Sequence, residues 1–336
     1  MKKSVLICDD SSIARKQLAK TLPADWDIDL EYAQDGQEAL DIIAKKKIDI
    51  LFLDLNMPVK DGYQTLEALR NQQDMPQVLV VSGDVQPQAL QRVKDLGALA
   101  FHKKPIQTEV LRDSLVSLGL MTQEQAKHDL SEDKGSAADD FSFSECLQEV
   151  SNIAMGQAAS VLADMLNVFV KLPVPTVNVL EVSELQMALG YGTKDSRFSA
   201  ISQGFVGSGV AFEALLIFND TSLPDIAKLL SSTGRIDQDR EIELLMEVSA
   251  VLVGPFMAAL GKQMNIDFSF GHPALLGQNV KMSNLIDVKR SSWKRTLTVE
   301  IVYEIENYNV SCDLLLLFTE DSIPVLENLL SYLVED

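Results

Sequence analysis

The chain has 336 residues, room for two or three domains, and its 49 acidic against 29 basic side chains leave a formal charge of -20. So acidic a chain excludes nucleic acid as the main partner, because polyphosphate recognition demands clustered Lys and Arg. Cys8, Cys146 and Cys312 are isolated and lack metal-ligand spacing, and the N-terminus enters a strand pattern directly, with no leader and no apolar run long enough to cross a bilayer. A cytoplasmic protein without membrane insertion is expected.

In chain order, strands are expected near 4 to 9, 28 to 33, 49 to 54, 77 to 82 and 98 to 102, each followed by a helical pattern. Five βα units predict an α/β domain with a doubly wound parallel sheet. The strand ends carry the chemistry. SVLIC, from Ser4, runs into Asp9 and Asp10, and ILFL, from Ile50, runs into Asp54 and the loop Asn56, Met57, Pro58. QVLVVS ends in Ser82, and ALAFH, with Phe101, runs into Lys103 and Lys104. Adjacent carboxylates repel each other and gain from a divalent cation, most naturally Mg2+ with its oxygen ligands.

In these residues, from Met1 to about Met121, the chain resembles the receiver domain of CheY-like response regulators. The resemblance implies strand order 2-1-3-4-5 and identifies Asp54 as the phosphoacceptor, with a sensor histidine kinase as phosphodonor. It assigns Mg2+ to Asp9, Asp10, Asp54 and the Asn56 carbonyl. Ser82 and Phe101 become the switch pair, and Lys104 the phosphate-contacting lysine. An acyl phosphate between a divalent cation and an ammonium is a temporary state, so the domain is expected to act as a timed switch.

Residues 122–140 are polar, acidic and without apolar spacing, which predicts a linker of about twenty residues with a coil span of about 25 Å. From 141 to 336 an internal repeat is visible. EVSNIAMG from Glu149 matches EVSAVLVG from Glu247, and the same offset of 98 relates Asn167 to Asn265 and Pro175 to Pro273. Two halves, about 141–236 and 237–336, predict an α+β domain with a pseudo-twofold axis. In each, a long helix (142 to 170, 238 to 265) and an extended segment ending at the proline precede two β-patterned runs and a closing helix from Ser222 or Ser322.

In the first long helix Glu149 and Asn152 are three residues apart, with Gly156 four further on, so the three share one face. E-x-x-N alone is a weak signal. Joined to a duplicated domain and a receiver, it resembles the CheC/CheX family of chemotaxis phosphatases. The resemblance implies that Glu149 pairs with the active-site lysine of a phosphorylated CheY-type regulator, while Asn152 orients the attacking water. In the second half Ala250 replaces the amide, so one functional site is expected, and Pro255 after Gly254 predicts a disturbed helix. The alternative is a binding module: a phosphate sink, adaptor or inhibitor in a sensory complex, with a CheD-like protein as a candidate partner. Because self-dephosphorylation would erase the signal, the resting chain is expected to keep Asp54 from facing Asn152 and to act on a separate regulator. His102, His128 and His272 are scattered and predict no metal site.

Overall fold

The computed structural model describes residues 2–23, 26–70, 72, 74–122, 142–181, 197–230, 237–280 and 295–331. Beyond residue 122, the expected linker lies outside them, as does His128. The chain divides into two compact units, Met1–Glu149 and Val150–Tyr332. The division falls within a helix, so the first unit includes that helix's opening turns.

In the first unit β1 (Lys3–Cys8), β2 (Ile28–Ala33), β3 (Ile50–Leu53), β4 (Gln77–Ser82) and β5 (Ala100–Lys103) alternate with α1 (Ser12–Thr21), α2 (Gly36–Lys45), α3 (Gly62–Leu69), α4 (Pro87–Asp95) and α5 (Thr108–Ser117). All strand pairs are parallel and the order is β2-β1-β3-β4-β5, as expected. The strands read as unbroken apolar runs because both faces are covered. Val5, Ile7, Ile50, Phe52, Leu79 and Val81 pack into one core. Their neighbours Leu6, Cys8, Leu51, Leu53, Val78 and Val80 pack into the other. After β3 the chain must fold back beneath its own end, and Gly62 permits this: a Cβ there would lie 2.2 Å from the Asp54 carbonyl oxygen. Asp61 then starts α3 with a capping box shared with Gln64.

The sixth helix, α6 (Phe143–Leu166), leads into the second unit. There β6 (Val170–Lys171), β7 (Thr176–Glu181), β8 (Phe198–Gly207), β9 (Val210–Asn219) and α7 (Leu223–Leu229) form one half. The other half is α8 (Gln238–Met264), β10 (Ser269–Phe270), β11 (Ala274–Val280), β12 (Arg295–Ile305), β13 (Val310–Phe318) and α9 (Ile323–Leu330). The sheet has eight strands along the path β10-β8-β9-β13-β12-β6, with β11 also on β8 and β7 also on β12. Every pairing in it is antiparallel. The halves interlock: β7 of the first pairs with β12 of the second, and β11 of the second with β8 of the first.

Several expectations need correction. Asn167 and Asn265 take left-handed φ values of 53° and end the long helices earlier, at Leu166 and Met264. Pro175 and Pro273 do not end extended segments; β7 and β11 start directly after them, where a missing N–H costs no ladder bond. Helix α8 runs through Pro255 unbroken to Met264. Among the described residues α8 is also long and apolar enough to cross a membrane, but 61% of its most apolar window is buried inside the protein, as in a core helix.

Candidate functional site

Register places the receiver chemistry. Cys8 lies opposite Leu53 and Ser82 opposite Lys103, so Asp9, Asp54, Ser82 and Lys104 emerge together at the carboxyl edge of the sheet. The Lys104 ammonium lies 2.7 Å from Asp9 Oδ2 and 3.0 Å from Asp54 Oδ2. Asp54 Oδ1 accepts a 2.7 Å hydrogen bond from the Leu55 N–H, and Asp9 Oδ1 one of 3.0 Å from the Ser11 N–H. Arg15 donates to the Asp9 and Asp10 carbonyls, steadying the turn that presents both acids.

Oxygens of Asp9, Asp10 and Asp54 lie within 4.8 Å of one another, and the buried Asp10 Oδ1 has no hydrogen-bond partner. Burial, and then the Asp54 charge, push the Asp10 carboxyl up to about 7. Burial raises Asp9 in the same direction. Burial works against the Lys104 charge, yet the Asp54, Asp9 and Glu149 carboxylates together hold its ammonium well above the ordinary lysine range. Crowded carboxylates with an orphaned oxygen fit a hard divalent cation such as Mg2+.

The other receiver positions lie close by in sequence or register. Asn56 is buried two residues beyond Asp54, and Ser82 is fully buried with its Oγ accepting from the Asp84 N–H at 3.2 Å. Phe101, paired with Val80, packs partly buried against the core that contains Leu53. Asp84 itself went unread in the sequence. Its carboxyl, driven up to about 6 by burial, takes the Gln86 N–H at 3.0 Å and the Tyr63 hydroxyl at 3.4 Å. An acid two residues beyond a strand-end serine was the available signal. His102 is buried and its pKa lowered by burial, while His272 is exposed.

In the first unit, the opening turns of α6 reach the same edge. The Glu149 carboxylate lies 3.5 Å from Lys104 Nζ, with side chains 6% and 5% exposed. One turn earlier, Glu145 accepts from the Ser12 hydroxyl at 3.0 Å. The carboxylate of the E-x-x-N pair is therefore not held away from the receiver cleft. Asn152, in the second unit, is also buried, and its Oδ1 has no hydrogen-bond partner. Gly156 is buried, whereas the matching positions Glu247, Ala250 and Gly254 are all exposed.

Two families match the chain: the response regulator receiver domain over residues 5–116 and the CheC-like family over residues 146–179. The second stretch contains Glu149, Asn152 and Gly156 and stops within β7. Hybrid signal transduction histidine kinase A of Dictyostelium discoideum is 33% identical over 125 residues, 35% of this chain and 6% of that protein. A protein-glutamate methylesterase/protein-glutamine glutaminase of Syntrophomonas wolfei is 36% identical over 107 residues, 31% of this chain and 30% of that one. The chain thus spans less than a third of either relative. The solved chemotaxis response regulator CheY4 of Vibrio cholerae is 32% identical, covering 35% of this chain and 99% of that chain, with a TM-score of 0.33.

Proposed function

From a chain whose residues 5–116 are a response regulator receiver domain of two-component signalling, we propose a regulator phosphorylated on Asp54 whose α6 hydrolyses the aspartyl phosphate of a separate CheY-type response regulator. In the first step an Asp54 oxygen attacks the phosphorus of a histidine kinase's phosphohistidine, and the P–N bond breaks. Lys104, already bonded to Asp54 Oδ2, neutralises the incoming charge. Asp9, Asp10, Asp54 and the Asn56 carbonyl would hold Mg2+, which supplies charge neutralisation opposite the lysine. Ser82 and Phe101 are read as the pair that reports the new charge.

The hydrolytic step belongs to Glu149 and Asn152. Glu149 engages the target's lysine, and the Asn152 amide orients a water for attack on phosphorus. The aspartyl O–P bond breaks, carboxylate leaves, and the water's proton passes to phosphate or solvent. One observation carries this reading: within the CheC-like stretch, Asn152 presents a buried Oδ1 with no protein donor. A water is a donor that would satisfy it. The 3.5 Å ion pair of Glu149 with this chain's own Lys104 supports such a pairing.

The test is phosphate release from a CheY-type receiver labelled with acetyl phosphate. Adding the full chain should accelerate release, and Asn152→Ala should reduce that acceleration by about 10² or more, on the order of 3 kcal/mol of barrier. Glu247→Ala should change it little, because Ala250 leaves that half without a water-holding group. No acceleration at all would favour the phosphate-sink reading; equal losses at Glu149 and Glu247 would refute a single site.

A further inference from the structure

The ion pair between Lys104 and Glu149 assigns a control element to the receiver itself. We propose that Glu149 is a latch released by phosphorylation: Lys104 holds it while Asp54 is unmodified, and a phosphoryl group on Asp54 takes that ammonium and frees Glu149. This rests on the reading of Glu149 as the residue that engages a target's lysine. It also sets the direction of control, since one carboxylate cannot serve two lysines at once. Phosphorylation of Asp54 switches the phosphatase on.

The geometry, all within the first unit, supports this order of events. Among the described residues, Lys104 is the cation these carboxylates share, with Asp9 at 2.7 Å, Asp54 at 3.0 Å and Glu149 at 3.5 Å. Glu149 has the longest contact, and it alone belongs to a helix outside the receiver's own βα units. A phosphoryl group attached to Asp54 brings about two negative charges and three strong acceptor oxygens to the place where Lys104 already bonds. In so enclosed a site these outcompete a single carboxylate and repel it. Beside it, the hydrogen bond from the Ser12 hydroxyl to Glu145 is solvent-exposed and weak.

The experiment adds full-length protein to a labelled CheY-type receiver freed of excess phosphodonor. Lys104→Met should hydrolyse the label several-fold faster than the unphosphorylated parent. The parent loaded with acetyl phosphate in Mg2+ should match that rate, and Asp54→Asn treated alike should stay at the resting rate. Equal rates in all of these would overturn the latch. Removing Lys104 leaves buried acids unpaired and can unfold the unit, so a second measurement uses Glu149→Gln, which is close in shape. Without the competitor for Lys104, Asp54 should label several-fold faster than in the parent; an unchanged rate counts against the proposal whether or not the target is hydrolysed. If no form hydrolyses the target, the phosphatase reading fails, and the labelling rate alone decides whether Glu149 competes for Lys104. Loss of the chain's own Asp54 label tenfold faster in the parent than in both Glu149→Gln and Asn152→Ala would mean self-dephosphorylation, and that also overturns the latch.

Discussion

Val59 carries the loop after Asp54 through φ 64°, with its side chain 82% exposed. A β-branched residue in the left-handed region costs about 1–2 kcal/mol, and asparagine tolerates that region far better. Val59→Asn should stabilise the first unit by about 1 kcal/mol in urea unfolding; an unchanged or lower midpoint would show that the loop relaxes the strain in another way. That φ was not legible in the sequence, since Pro58, Val59, Lys60 reads as loop whatever its dihedral angles. Asp9, Asp54, Ser82 and Lys104 were legible, because each ends an apolar run and a parallel sheet gathers strand ends along one edge. The partner that Lys104 finds in Glu149 was not, since 45 positions of sequence separate them and no local pattern records such a meeting.

At the scale of elements, the repeat becomes visible in the sheet: LLIFNDTSLP from Leu215 matches LLLFTEDSIP from Leu315 at an offset of 100, and Leu215 of β9 stands directly opposite its counterpart Leu315 of β13. Around that pair Leu216 faces Leu314 and Ala214 faces Leu316, as a local twofold axis requires. The matched segments and hairpins could be read from spacing, but the exchange of β7 and β11 could not, because alternation marks a strand without naming its neighbour. On β13, burial and then the Glu300 and Glu304 charges push the Asp313 carboxyl up to about 6 from its ordinary 3.8. Between those values the folded form binds more protons than the unfolded one. Stability therefore falls as pH rises through this window, and the loss is complete above it. Asp313→Asn should stabilise the second unit at pH 7, by on the order of 1–3 kcal/mol, and flatten the dependence of Tm on pH between about 4 and 7. A parental pH slope that persists in the variant would assign the effect to another group.

At the scale of the whole molecule, the two family matches divide unequally. The receiver match spans the complete βα series, whereas the CheC-like match ends within β7 and leaves the second half to be recognised only through its repeat. Ala250, where the first half has Asn152, shows how far that copy has diverged. On the proposed reading Asp54 would accept further negative charge beside Asp9 and Asp10, so the local crowding of carboxylates bears on it directly. Lys104 provides one positive charge against these three carboxylates, and the unpaired Asp10 Oδ1 points to a cation as the remaining source. Labelling of Asp54 by acetyl phosphate should therefore vanish with a chelator and return with Mg2+. Asp10→Asn should slow it about tenfold or more, and Asp54→Asn should take no label. The same cation, bound by the folded form only, should raise the Tm of the first unit in the unphosphorylated parent. Much of that rise should disappear in Asp10→Asn, because the orphaned oxygen would no longer carry charge. Labelling that persists in the chelator, or an equal Tm rise in parent and variant, would remove Asp10 from the cation site and leave Lys104 as the principal counter-charge to the phosphoryl group.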